Sequence, residues 1–115
     1  MNILTTWYIP SAKTYTISLT DADGNPVTLA SHSQLRISAT INRVEVKKFA
    51  LTGDAYSANV IAAVAGYSSY CEVAFTSAES EVFKNGLLEF NVYKTRGTII
   101  DRELISVALV KNPAV

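Results

Sequence analysis

The sequence predicts an all-β protein: an antiparallel β-sandwich, immunoglobulin-like or jelly-roll, carrying at most one or two short helices. Three observations predict it. Apolar and polar residues alternate with period two in several short runs, those runs are rich in β-branched and aromatic residues, and polar turn residues separate them. With 115 residues, 49% of them hydrophobic and 17% charged, the chain has material for one core and is too apolar to stay disordered.

The clearest strand covers 14–20, where Tyr15, Ile17 and Leu19 alternate with Thr14, Thr16, Ser18 and Thr20 to give one buried and one wet face. Leu35, Ile37, Ala39 and Ile41 form the next. Val44 and Val46, then Phe49 and Leu51, continue it after a phase slip at Lys47 and Lys48 that a β-bulge or a bend explains. Later faces read Cys71, Val73 and Phe75, then Leu88, Phe90 and Val92, and last Ile105, Val107 and Leu109, about seven strands in all. Asp21-Ala-Asp-Gly-Asn-Pro26 is a turn, Gly53-Asp54 ends a run, and Thr95-Arg-Gly-Thr98 closes a hairpin.

Two stretches admit a helix or a strand. Asp54 is placed to cap a helix over 55–65, with Tyr56, Val60 and Val64 on one face and Gly66 after its end, and this reading is favoured on alanine content, although the same residues alternate at period two. Thr76 and Glu79 are spaced as a capping box for a helical turn through Lys84, against a hairpin turning at Asn85-Gly86.

Residues 1–12 read as an apolar amino-terminal arm ahead of a single domain over 13–115. Trp7, Tyr8 and Ile9 precede the first regular strand and stop at Pro10, which cannot donate to a sheet ladder. The arm covers the protein's own core or clasps a neighbour, and Trp7, Tyr8 and Ile9 are the candidate partner-binding residues. The arm has no basic region followed by an apolar one, and no run reaches the 18 apolar residues a membrane span needs, so neither export nor membrane insertion is expected.

The residues that chemistry needs are sparse, and the reading is a non-enzymatic protein without a cofactor. Asp21, Asp23 and Asn25 imitate the first ligands of a calcium loop, but the sixth position is Pro26 instead of Gly and the twelfth is His32 instead of Glu, so an Asx turn explains them and no metal is expected. His32, the single histidine, reads as a solvated loop residue. One Cys and one His cannot complete a tetrahedral zinc site. Glu79 with Glu81, and Asp101 with Glu103, read as solvated faces and not as a glycosidase pair. Cys71, the lone cysteine, excludes an internal disulfide and is in phase with a buried face.

Ten Lys plus Arg balance ten Asp plus Glu, so no long-range field draws the chain to nucleic acid. Tyr67, Tyr70, Tyr93, Lys94 and Arg96 are the residues an aromatic, basic surface would use. The six tyrosines also suit stacking on sugar rings, which makes a carbohydrate-binding module the alternative function. A near-neutral charge, with a pI of about 6.6, fits a protein that works in an assembly.

The run Thr16-Ile-Ser-Leu-Thr-Asp-Ala-Asp-Gly-Asn-Pro-Val-Thr-Leu29, with Gly97-Thr-Ile-Ile-Asp101 near the end, resembles the immunoglobulin-like domains of phage tail, baseplate and capsid-associated proteins. The resemblance implies a structural subunit of a virion, assembled in the host cytoplasm. Its partners would be copies of itself and other virion proteins, with no nucleic acid and no membrane.

Overall fold

The computed structural model describes residues 4–113. Met1 to Ile3 of the expected arm, and the last two residues of the expected domain, lie outside them. The described residues form an all-β sandwich of eight strands: β1 (Thr5–Tyr8), β2 (Lys13–Ser18), β3 (Gln34–Ile41), β4 (Val44–Ala50), β5 (Ala62–Val64), β6 (Tyr67–Phe75), β7 (Gly86–Arg96) and β8 (Ile99–Lys111). One sheet has the order β1-β8-β7-β3-β4 and the other β2-β6-β5. Taken as B, C, C′, D, E, F and G, strands β2 to β8 give C′-C-F-G in one sheet and B-E-D in the other, which is the immunoglobulin order and not the jelly-roll. All strand pairs are antiparallel except one, because β1 runs parallel to β8.

The alternating residues close the sandwich from both sides. Ile17, Cys71, Val73 and Phe75 of the small sheet meet Leu35, Ile37, Phe49, Leu88, Phe90 and Val92 of the large one, all nearly or wholly removed from water. Rings carry much of the packing: Phe75 contacts Phe49 and Phe83 edge-on and stacks with Phe90 at 6.3 Å between centroids.

Two bulges decide facings that alternation alone assigns differently. Ala39 pairs with Lys47 and Thr40 with Glu45, so the extra residue is Val46, one position before the expected slip. On β8, Leu88 pairs with Ala108 while Glu89 pairs with Ser106, which leaves Val107 unopposed. The facing then inverts: Ala108 and Val110 enter the core and Leu109 points out, so Ile105, Val107 and Leu109 do not share a face.

The favoured helix over 55–65 does not form, and turns lead instead into β5. Asp54 spends its carboxylate otherwise: one oxygen accepts the Tyr56 amide in an Asx turn, and both accept the Arg36 guanidinium. Val60 then bridges to Ala50, and the alternation at 62–64 is used against β6. The other ambiguous stretch does form a short helix, α1 (Ser77–Ser80), with a complete capping box: Thr76 Oγ1 accepts the Glu79 amide at 3.1 Å and Glu79 Oε1 accepts the Thr76 amide at 2.8 Å. The hairpins close as turn chemistry requires. Gly97 has φ 61° in the two-residue loop between Arg96 and Ile99, and Asn42 and Arg43 take positive φ between β3 and β4, in the manner of a type I′ turn.

Candidate interaction surfaces

The arm is built into the sandwich. Thr5 to Tyr8 pair with Ala108 to Lys111, and Trp7 and Ile9 point into the chain's own core, Trp7 being only 3% exposed. Trp7 packs against Tyr15, Phe75 and Phe83, and its Nε1–H donates to Ser11 Oγ at 2.9 Å. The Ser11 amide in turn donates to the buried Ser80 Oγ of α1, which fastens the end of the arm. Of the three candidate partner residues, Tyr8 alone presents its ring to solvent, 62% exposed.

Tyr8 belongs to a row of apolar side chains on the outer face of the large sheet. Leu109 lies between Thr6 of β1 and Leu87 of β7, and Leu104 and Ile100 follow on the same face of β8 with Ser106 and Arg102 between them, all exposed except Leu87, which is partly so. The bulge at Val107 turns Leu109 outward to join this row. On the far side of that sheet the loop after β4 folds back over it. Tyr56 is held between the Arg36 guanidinium at 4.8 Å and the Lys48 ammonium at 5.0 Å, and Asp54 clamps Arg36 through two bonds of 2.9 and 3.0 Å. Arg36 holds the Asp54 carboxyl below its ordinary range, helped by the Tyr56 amide.

The opposite flank of the sandwich is an open seam. β2 is the last strand of its sheet, and β8 has no neighbour over 99–107 on the side away from β7, because β1 reaches only Ala108. Between them lies a cleft of about 290 Å³, lined by Tyr15, Ile17, Phe90, Ile105 and Val107 with Glu103 at one end. The Tyr15 hydroxyl in this region is buried without a hydrogen-bond partner, and loss of solvent pushes its pKa up to about 12.

At the end of the seam Lys94 is 4% exposed, with its ammonium donating to Thr20 O at 2.9 Å and to Glu103 Oε2 at 3.0 Å. Lys94 therefore ties β7 to β8 and to the turn after β2, while Glu103 keeps an exposed face beside the ion pair. Glu79 is likewise bound, to Lys47 at 2.7 Å as well as to its cap. Asp101 approaches Arg96 at 3.9 Å.

The basic and aromatic residues do not gather into one surface. Tyr67 and Tyr70 sit together on the small sheet, rings 5.6 Å apart, while Tyr93 lies on the large sheet beside Arg102 and Lys94 faces inward. Asp21 behaves as an Asx residue, its Oδ1 accepting the amides of Asp23 and Asn25, both at 2.9 Å, and those bonds hold its carboxyl below the usual range, Asn25 contributing most. Among the described residues no three His, Cys, Asp or Glu side chains are grouped to hold a metal ion.

His32 is not solvated. It is 6% exposed, with Nδ1 on the carbonyls of Thr28 at 2.9 Å and Leu29 at 3.3 Å, and with Nε2 buried without a partner. Burial lowers its pKa against the opposing pull of those carbonyls. Cys71 is fully buried, and desolvation pushes its thiol up to about 12.

The fold and these surfaces define an immunoglobulin-order β-sandwich with an open seam and an exposed apolar row. No family model matches the chain, and no curated protein matches it in sequence.

Proposed function

We propose that the chain is a non-catalytic structural subunit of a phage virion, a decoration, head–tail or baseplate component that packs against copies of itself and against a larger virion protein. The supporting observation is the row formed by Tyr8, Leu109, Leu104 and Ile100, apolar area of the kind that marks association surfaces. The likeness of 16–29 to phage immunoglobulin-like domains supplies the setting. Particles from the host that carries the gene, purified on a density gradient and analysed by peptide mass spectrometry, should contain this chain in amounts comparable with other structural proteins. Its recovery only from the particle-free fraction refutes the reading.

A second reading, a glycan-binding module, is favoured by the Tyr67 and Tyr70 pair, 60% and 38% exposed beside Ser68 and Ser69. A glycan array read against Tyr67→Ala separates the two: saturable binding lost in the variant supports the glycan reading.

A further inference from the structure

We infer that β2 is a dimerisation edge, pairing antiparallel with β2 of a second copy about a two-fold axis through Thr16. The inference deepens the proposed self-packing and rests on that reading only for its biological setting.

The hydrogen-bond phase of β2 gives the geometry. Ile17 pairs with Cys71, and in the same register the Leu19 amide donates to Ser69 O at 2.8 Å, so the odd residues bond to β6. In an antiparallel ladder the even residues then aim their N–H and C=O the other way. Thr14, Thr16 and Ser18 present those groups along the open seam, where no strand of the chain meets them. The edge carries none of the devices that discourage pairing except a lysine at its first position: it has no proline and no bulge.

Charge decides the occupant. In the two-fold register Thr16 lies opposite Thr16, Thr14 opposite Ser18 of the second copy, and Lys13 opposite Leu19, so no like charges meet and hydroxyl side chains pair across the junction. Lys13 stands at one end of the seam, its ammonium 5.6 Å from the Tyr15 ring centroid, and the exposed side of Glu103 stands at the other end beside Ser18. Antiparallel pairing brings each Lys13 toward the other copy's Glu103. The other strand bordering the seam excludes itself, because the fullest self-pairing of β8, centred on its open stretch, opposes Glu103 to Glu103. Joining the β2 strands makes the two three-stranded sheets continuous and sets each β2 at the mouth of the other copy's apolar cleft.

The test is mass in solution by light scattering, with variants that read the edge. Wild type should have twice the 12.5 kDa chain mass. Thr16→Pro removes only an amide that faces away from β6, a position where an edge strand tolerates proline, and should halve the mass while leaving the circular dichroism native. Thr16→Cys should oxidise to a covalent dimer, since the axis places Thr16 against itself within disulfide reach, whereas Thr14→Cys, opposite Ser18, should not. Should Thr16→Pro fail to fold, the two cysteine variants decide. A wild type that stays monomeric to about 1 mM overturns the inference, since a specific dimer would form there. So does a dimer that survives in natively folded Thr16→Pro, or equal cross-linking of both cysteine variants. A dimer through another surface keeps the self-packing reading and discards only β2, and a monomer found in purified particles keeps the virion assignment.

Discussion

Replacing Trp7 with alanine measures how far the amino-terminal segment belongs to the core. The indole is 3% exposed, contacts three rings, and its N–H is satisfied by Ser11. Truncating so large a buried ring costs about 3–5 kcal/mol, a transfer loss plus a cavity that β1 and β8 cannot collapse without disturbing their ladder. For a chain of 115 residues the unfolding entropy is about 0.24 kcal/mol per kelvin, so the melting temperature should fall by roughly 12–21 °C. The whole stability of such a domain is about 6–17 kcal/mol, so Trp7→Ala should remain folded at low temperature while deletion of residues 1–11 need not. Thermal circular dichroism gives the shift, and light scattering at the same concentrations gives the mass, which should match wild type under native conditions. A fall below about 5 °C together with a lower mass would refute the reasoning, since it would mean that Trp7 packs on a neighbour.

Further outcomes follow from His32, from Cys71 with Tyr15, and from the close approach at Gly86. Burial lowers the pKa of His32, so the native state binds fewer protons than the unfolded chain: the contribution is present above the ordinary value of 6.5 and is lost as pH falls below it. Denaturant titrations should show stability declining just below pH 6.5, before the carboxylates protonate, and an unchanged slope in His32→Asn would assign it elsewhere. Cys71 and Tyr15, both raised to about 12, act in the opposite sense, and stability should decline as pH rises from about 9 toward 12; native Cys71 should resist a thiol reagent that labels the unfolded chain at once. A methyl group at Gly86 collides with the Asn42 side chain, and that side chain donates to Asn85 O and accepts the Leu87 amide, so Gly86→Ala should cost about 1–3 kcal/mol in chemical denaturation. Gly86→Ala made together with Asn42→Gly should cost less than the sum of the two changes, and strict additivity would refute the contact.

Most of the sandwich is legible in the sequence because period-two alternation is a local property. Tyr15, Ile17 and Leu19, then Cys71, Val73 and Phe75, then Leu88, Phe90 and Val92 face inward as their spacing requires. The inward facing of Lys94 was equally readable, since it continues the phase of Leu88, Phe90 and Val92, and its charge is what disguised it. Capping and turn chemistry is local as well, which is why Thr76 with Glu79, Asp21 to Pro26 and the Gly97 turn sit where their residues place them.

The remainder depended on partners distant in sequence. Asp54 has the residue type of a helix cap, and only the approach of Arg36, 18 positions away, commits its carboxylate to a clamp and leaves 55–65 irregular. The bulges at Val46 and Val107 arise where two strands of unequal path must share a register, so neither Leu109's outward turn nor the row it completes follows from β8 read alone. His32 shows no periodicity at all, so nothing in its sequence surroundings separates a buried ring from a solvated one. Trp7, Tyr8 and Ile9 read as apolar whether they cover their own core or another's, because hydrophobicity names no partner. The register with β8 turns two of them inward and leaves Tyr8 outside. The open edge of β2 is likewise a property of sheet order, since a strand's sequence gives its two faces while its lateral neighbours are set by the topology of the whole chain.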